Sequence, residues 1–297
     1  YVWTDHALFI MRFVGAPFVF SFQQVGTGCG LIGKNAAVEV DGSAYWMSEN
    51  GFFRYTGKLD SLACLVEDYV YDDINTVPKQ HIYAGLNNLF GEVTWFYPGS
   101  GAASNNRSVT YNYMDSTPER PVWTTSSLAR STWSDSHIFG KPHATEYDSS
   151  ATSDTTVGNT DGVTIYYEHE TGVNQIKAGA ATAIAASIES GDFDISAVQG
   201  GGADLRGDGE YMMKIRRVLP DFLQQTGDAR VTLNLKNYPT DSQASSSLGP
   251  FTSTTSTTKI DTRARARAIS LKVDNTSTGQ HWKLGTFRLD IQADGRR

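Results

Sequence analysis

The chain has 297 residues, 39% of them hydrophobic and 19% charged, with a net charge of −7. That length can bury one large apolar core or two smaller ones. The acidic balance excludes a surface that grips nucleic acid everywhere, since such proteins are basic, but it is compatible with a wall along which DNA slides without sticking.

The chain opens on Tyr1-Val-Trp-Thr4 rather than Met, which reads as a piece of a longer polypeptide, the C-terminal part. The most apolar stretch, Ala7 to Phe22, contains Arg12, Gly15 and Pro17. A membrane-spanning helix needs about 20 apolar residues without such breaks, so the stretch predicts two strands joined by a Gly-Ala-Pro turn. Phe18, Phe20 and Phe22 alternate with Val19, Ser21 and Gln23 at the period of a strand. Ala37–Val40, Asp41-Gly42 and Ser43–Met47 predict a hairpin, because Asp-Gly supplies the positive φ angles of a tight turn. Glu49-Asn50-Gly51 and Phe52–Tyr55 extend it to a three-stranded meander.

The acidic run around Glu67, Asp68, Asp72 and Asp73 predicts a solvated turn or short helix between sheets. Strands are then expected at Glu92–Tyr97, Ser108–Tyr113 and Pro121–Thr125, and a third set at His143–Tyr147 and Val163–Glu168. Trp46 to Trp95 is 49 residues and Tyr97 to Tyr147 is 50. A unit of that length built as a small antiparallel sheet is the signature of propeller blades; a β-sandwich with long hairpins is the other arrangement these strands allow. Asn174 to Ala186, rich in Ala and Gly, predicts a short helix or a linker. Strands follow at Ile188–Ile195, Glu210–Leu219, Ala229–Lys236, Arg263–Asp274 and Trp282–Gln292, with an exposed Ser/Thr-rich stretch at Ser242–Thr258. The resulting fold class is all-β: incomplete propeller blades over residues 1–187, then a smaller C-terminal β-sheet or sandwich region over 188–297. At about 40–50 residues per blade, the first region holds roughly four blades. An open ring of four leaves unprotected edges, which blades N-terminal to Tyr1 would cover.

Little in the sequence points to chemistry. Cys29 and Cys64 lie outside any Cys-x-x-Cys or Cys/His spacing and read as free, buried thiols. His6, His81, His137, His143, His169 and His281 show no ligand spacing. No Gly-x-Ser-x-Gly elbow supports a nucleophilic serine. The cluster from Gly200 to Gly209 lacks the ending of a phosphate loop, and Arg206-Gly207-Asp208 is a tripeptide without context. No catalytic residue, cofactor or metal is therefore expected. One pattern is more specific: Arg263, Arg265 and Arg267 alternate with Ala and would share one face of a strand. Parallel guanidiniums repel unless carboxylates or phosphates face them. They are candidate interface residues, paired with acidic groups at a subunit or domain contact or touching DNA phosphates.

Several long strings carry a resemblance. They are Gly28-Cys-Gly-Leu-Ile-Gly-Lys-Asn-Ala-Ala-Val-Glu-Val-Asp-Gly42, Tyr45-Trp46-Met47, Asp68-Tyr-Val-Tyr-Asp-Asp-Ile-Asn75, Glu92–Tyr97 and Tyr111-Asn-Tyr113. Later come Glu189-Ser-Gly-Asp-Phe-Asp-Ile195, Arg216-Arg-Val-Leu-Pro-Asp-Phe222, Trp282-Lys-Leu-Gly285 and the closing Arg288–Arg297. Together they span nearly the whole chain. The sequence resembles the packaged-DNA stabilisation proteins, or tail nozzle (tail hub) proteins, of short-tailed bacteriophages. The resemblance implies a propeller-bearing, non-enzymatic subunit of a homohexameric ring below the portal and adaptor, in the virion tail, assembled in the host cytoplasm. It also implies a channel that retains double-stranded DNA until ejection without reading its sequence. The partners implied are tail needle, fibre or tailspike proteins, with the host envelope met only indirectly. Two rivals stand beside it. One is a carbohydrate-binding or carbohydrate-cleaving propeller, with Trp46, Trp95, Tyr97, Tyr111 and Tyr113 stacking on sugars. The other is a secreted adhesin resting on Arg206-Gly207-Asp208.

Overall fold

Short turns divide the first half of the chain into strands that pair with their neighbours in sequence. A computed structural model describes residues 1–136, 138–149, 162–177, 179–195, 211–238 and 246–296. The first sheet contains β1 (Val2–Trp3), β2 (Ala7–Phe13) and β3 (Phe20–Thr27), and the second β4 (Ala37–Val40), β5 (Ser43–Ser48), β6 (Gly51–Tyr55) and β7 (Leu59–Leu62). After a helix, α1 (Glu67–Asp73), and a 3-10 turn (Lys79–His81) comes the third: β8 (Tyr83–Asn87), β9 (Glu92–Tyr97), β10 (Arg107–Asn112) and β11 (Trp123–Ser126). The fourth has β12 (Thr132–Ser134), β13 (His143–Asp148) and β14 (Val163–Glu168). In all four, order in space equals order in sequence and every pairing is antiparallel, so each is a meander. At the β4–β5 turn Asp41 and Gly42 have φ of 48° and 80°, the pair of positive angles a two-residue hairpin demands.

The meanders lie face to face in chain order. On the second, Ala44, Trp46, Phe53 and Tyr55 share one side through the pairings Ala44↔Tyr55 and Trp46↔Phe53. This rear side packs with Leu8, Trp3, Ile10 and Val25 of the first meander. The opposite, front side carries Tyr45, Met47 and Phe52, which join Val93, Trp95, Tyr97 and Val109 from the rear of the third meander in one core. The front of the third takes the fourth: Phe96 stacks on Trp133 with ring centroids 5.5 Å apart. A Cβ on Gly85 would lie 2.6 Å from the Trp133 ring, so only glycine admits that indole.

Tryptophans fasten each layer to the one before it. Trp46 Nε1–H donates to the Cys29 carbonyl at 2.8 Å, and Trp95 donates to Ala36 at 3.0 Å. Trp123 reaches Ala63 at 2.8 Å, and Trp133 reaches Leu86 at 2.7 Å. Trp46 and Trp95 are fully buried. Each such ring removes a large apolar area from water while its one donor stays satisfied, and the hydrogen bond adds about 0.5–1.5 kcal/mol net. The spacing of 49 residues between Trp46 and Trp95 thus reflects equivalent places on the second strand of successive meanders.

The chain divides into two units, Tyr1–Thr171 and Gly172–Arg297. The second begins with a hairpin, β15 (Asn174–Lys177) and β16 (Ala180–Ala183), where the Ala-rich sequence had predicted a helix or a linker. Positive φ at Gly172 and Gly179 turns the chain on either side of β15 and so interrupts any helix. The remaining strands are β17 (Ala186–Glu189), β18 (Tyr211–Leu219), β19 (Phe222–Thr226), β20 (Ala229–Lys236), β21 (Ser246–Ser253), β22 (Ile260–Ala266), β23 (Ala268–Asn275), β24 (His281–Leu284) and β25 (Arg288–Arg296). They form sheets in the orders β17-β23-β20-β21, β22-β18-β25 and β19-β24. The two larger sheets share one core, in which Met213, Ile215, Val218 and Ala264 meet Val231, Leu233, Ile269 and Val273.

Two segments expected as single strands are each broken in two. Arg263–Asp274 divides at Arg267, where the chain passes from β22 in one sheet to β23 in the other. Trp282–Gln292 divides near Gly285, whose N–H donates to the Asp221 carbonyl at 2.8 Å. The fold is nearly all β and, among the described residues, no helix is long and apolar enough to cross a membrane and no sheet closes on itself.

Candidate interaction surfaces

Alternation along β22 buries Ile260, Thr262, Ala264 and Ala266 and exposes Asp261, Arg263 and Arg265. Arg263 and Arg265 therefore do share a solvent-facing side. Arg267 sits past the strand end, at the bend where its N–H donates to the Lys236 carbonyl at 3.1 Å. Arg265 pairs with Asp294 of β25 through Nε, and the two side chains are 47% and 42% exposed. Exposed pairs of this kind contribute about 0.2–1 kcal/mol. Arg217, on the strand between, lies 3.7 Å from both Asp261 and Asp290. The carboxylate facing Arg265 is thus supplied within its own sheet. Arg263 has no acidic partner among the described residues.

Among the described residues, no three His, Cys, Asp or Glu side chains come together as a metal site. His137, Arg206-Gly207-Asp208 and the Gly200 cluster lie outside the described residues. The acidic run forms α1, and its Asp73 is held by Arg107 at 3.2 Å and by the Ser100 N–H. Both cysteines are free, and burial pushes the Cys64 thiol up to about 11, so it is protonated and inert at neutral pH.

Among the described residues the most enclosed ionic group is Arg130, 3% exposed. Its Nε–H donates to His169 Nε2 at 2.9 Å, Glu146 lies 3.4 Å from Nη1, and the guanidinium sits 4.0 Å above the Tyr167 ring. Burial, then the charge of Arg130 and then His143, holds the His169 imidazole down at about 4. A neutral imidazole accepting from a fixed guanidinium ties the segment before β12 to the end of β14 within the fourth meander, and its accepting nitrogen is already occupied. Of the aromatic residues considered for sugar stacking, four are spent in the core, since Trp46, Trp95 and Tyr97 have no exposed surface and Tyr111 has 6%, while Tyr113 is half-buried against it. In the second unit, an apolar cavity of about 240 Å³ is lined by Ile188, Phe193, Leu271, Leu284 and Phe287.

The largest unexplained features are the two ends of the stack. On the rear of the first meander, the pairings Phe9↔Gln24, Met11↔Phe22 and Phe13↔Phe20 put Phe9, Met11, Phe13, Phe20 and Phe22 on one side. Phe13 is 73% exposed and Phe22 62%. Phe18 and Val19, at the hairpin tip, are exposed too. The alternating phenylalanines predicted this strand but not that its apolar face lies open. On the front of the fourth meander, Thr132, His143, Thr145 and Tyr166 face outward, and Tyr166 is 64% exposed. No protein-family model matches the chain, and no curated protein is significantly similar to it.

Proposed function

We propose that the chain is a non-enzymatic structural subunit of a ring-shaped assembly, the nozzle or hub of a short phage tail. In this reading the four meanders are successive blades of a β-propeller. The ring closes the head, retains packaged DNA and provides the passage for its ejection, as part of the virion. Its neighbours would be the portal and adaptor on one side and needle, fibre or tailspike proteins on the other.

The observation that carries this reading is how the aromatic residues are used. They are consumed in fastening one meander to the next, while an apolar face is left exposed at the end of the stack. Such a surface is suited to association with further protein. The resemblance of the long strings to the phage family favours the same reading, and an acidic chain suits a duplex that must slide rather than stick. Burial of Trp46, Trp95 and Tyr97 disfavours the sugar-binding alternative. Electron microscopy of the purified protein tests the proposal: annular particles of identical subunits around a duplex-wide hole are expected. Solitary particles that bind glycans saturably on an array would overturn it.

A further inference from the structure

One half-buried carboxylate of the first unit has nothing to hold it. Across the front of the third meander the pairings Asn87↔Glu92 and Glu92↔Asn112 set three polar side chains in a row, with Glu92 in the middle. Residues directly opposite each other in an antiparallel pair bring their Cβ atoms to about 4.5–5.5 Å. Asn112 is engaged elsewhere: it donates to the Phe90 carbonyl at 3.1 Å and accepts from the N–H groups of Met114 and Asp115. Asn87 is 5% exposed and donates through Nδ2 to Glu170 Oε1 at 3.0 Å. Its Oδ1 is enclosed and accepts no hydrogen bond among the described residues. The Asn87 amide therefore joins two carboxylates, one directly opposite it and one bonded to it, and carries an acceptor without a donor. Every influence on Glu92 raises its pKa: burial first, then the charges of Glu170 and Asp115. No hydrogen-bond donor or cationic side chain acts on it among the described residues. Buried acceptors ordinarily have a donor, and neighbouring carboxylates ordinarily have a counter-charge. What this group of oxygens lacks is a cation.

We infer that Glu92, Glu170 and the side-chain oxygen of Asn87 bind a Ca²⁺ ion at the rim between the third and fourth meanders. The donor set is entirely oxygen, two carboxylates and an amide, which selects a hard cation over Zn²⁺ or Cu²⁺. The two carboxylates balance a divalent charge. Three side chains fall short of a closed protein cage, so water completes the shell, an arrangement the flexible coordination of Ca²⁺ tolerates and the strict octahedron of Mg²⁺ tolerates less. Glu170 is exposed, so an ion can enter from solvent. Glu170 also has φ of 56°, a left-handed backbone uncommon for a side-chain-bearing residue, and its bond from Asn87 fixes it there. The ion would tie the β8–β9 turn of the third meander to the segment that follows β14, and so brace the packing of the fourth.

Calcium titration of the whole chain tests it. By isothermal titration calorimetry at constant ionic strength, the wild type is expected to take up one Ca²⁺ that Glu92→Gln does not. Ca²⁺ is expected to raise the Tm of the wild type and leave that of Glu92→Gln unchanged. In EDTA, Glu92→Gln is expected to melt at or above the wild type, because the new amide removes a charge from beside Glu170 and offers Asn87 Oδ1 a donor; this also shows the variant folded. Asp72→Asn, in α1, is expected to bind Ca²⁺ as the wild type does, which separates this site from loose attraction to an acidic chain. Three results would overturn the inference: no uptake by the wild type at several millimolar Ca²⁺, a Tm rise of equal size in Glu92→Gln, or a Glu92→Gln variant that melts well below the wild type in EDTA.

Discussion

Replacing Trp95 with Ala measures what holds the layers together. The ring is fully buried, lies 4.9 Å from Phe52 across the boundary between the second and third meanders, and donates to Ala36. Truncating a buried Trp costs about 3–5 kcal/mol in lost transfer energy and cavity formation. The Ala36 carbonyl is not stranded, because it also accepts from the Met47 N–H at 3.1 Å, so no further desolvation penalty arises. For a unit the size of Tyr1–Thr171, each kcal/mol shifts Tm by about 2–4 °C, giving a drop of roughly 6–20 °C. Differential scanning calorimetry reads this directly. Trp123→Ala, at a half-buried ring bonded to Ala63, should cost visibly less. A Trp95→Ala transition within about 2 °C of the wild type would refute face-to-face packing of these meanders, since a buried Trp cannot be lost so cheaply.

Other consequences follow from single groups. His169 is held at about 4 in the folded chain against about 6.5 unfolded. As pH falls through that window the unfolded chain takes up a proton that the folded one refuses, so stability declines; above it the contribution is constant. His169→Gln should flatten this part of a Tm–pH curve, and identical slopes for variant and wild type would contradict the assignment. Iodoacetamide should alkylate Cys64 slowly at pH 8 in the native protein and rapidly after unfolding; native labelling as fast as a free thiol would contradict its burial. Changing Arg263, Arg265 and Arg267 together to Ala should alter second-unit stability by under about 1 kcal/mol in urea titration, while weakening ring assembly. An intact ring from that variant would remove these arginines from the interface.

Much of the fold was legible because local rules settled it. Asp41-Gly42 specified its own turn, and the period-2 pattern of Glu92–Tyr97 specified β9 with the same bounds. What failed depended on distant partners. Arg263–Asp274 is continuous in strand-forming residues, and only the presence of two sheets to be served makes the chain bend at Arg267. Ala180–Ala183 has helical composition, yet pairing with Asn174–Lys177 overrides it. The arginine alternation revealed a shared face but not that Asp294, far along the chain, already engages Arg265. The open phenylalanine face was the least legible, because β3 would read the same whether a neighbour covered it or not.

Hydrogen exchange at low and high protein concentration tests the stacked arrangement most directly. Residues 43–48 and 92–97, in the middle of the stack, should exchange slowest at both concentrations, well behind the exposed stretches 9–22 and 163–168. Rapid exchange across 43–48 and 92–97 would contradict it.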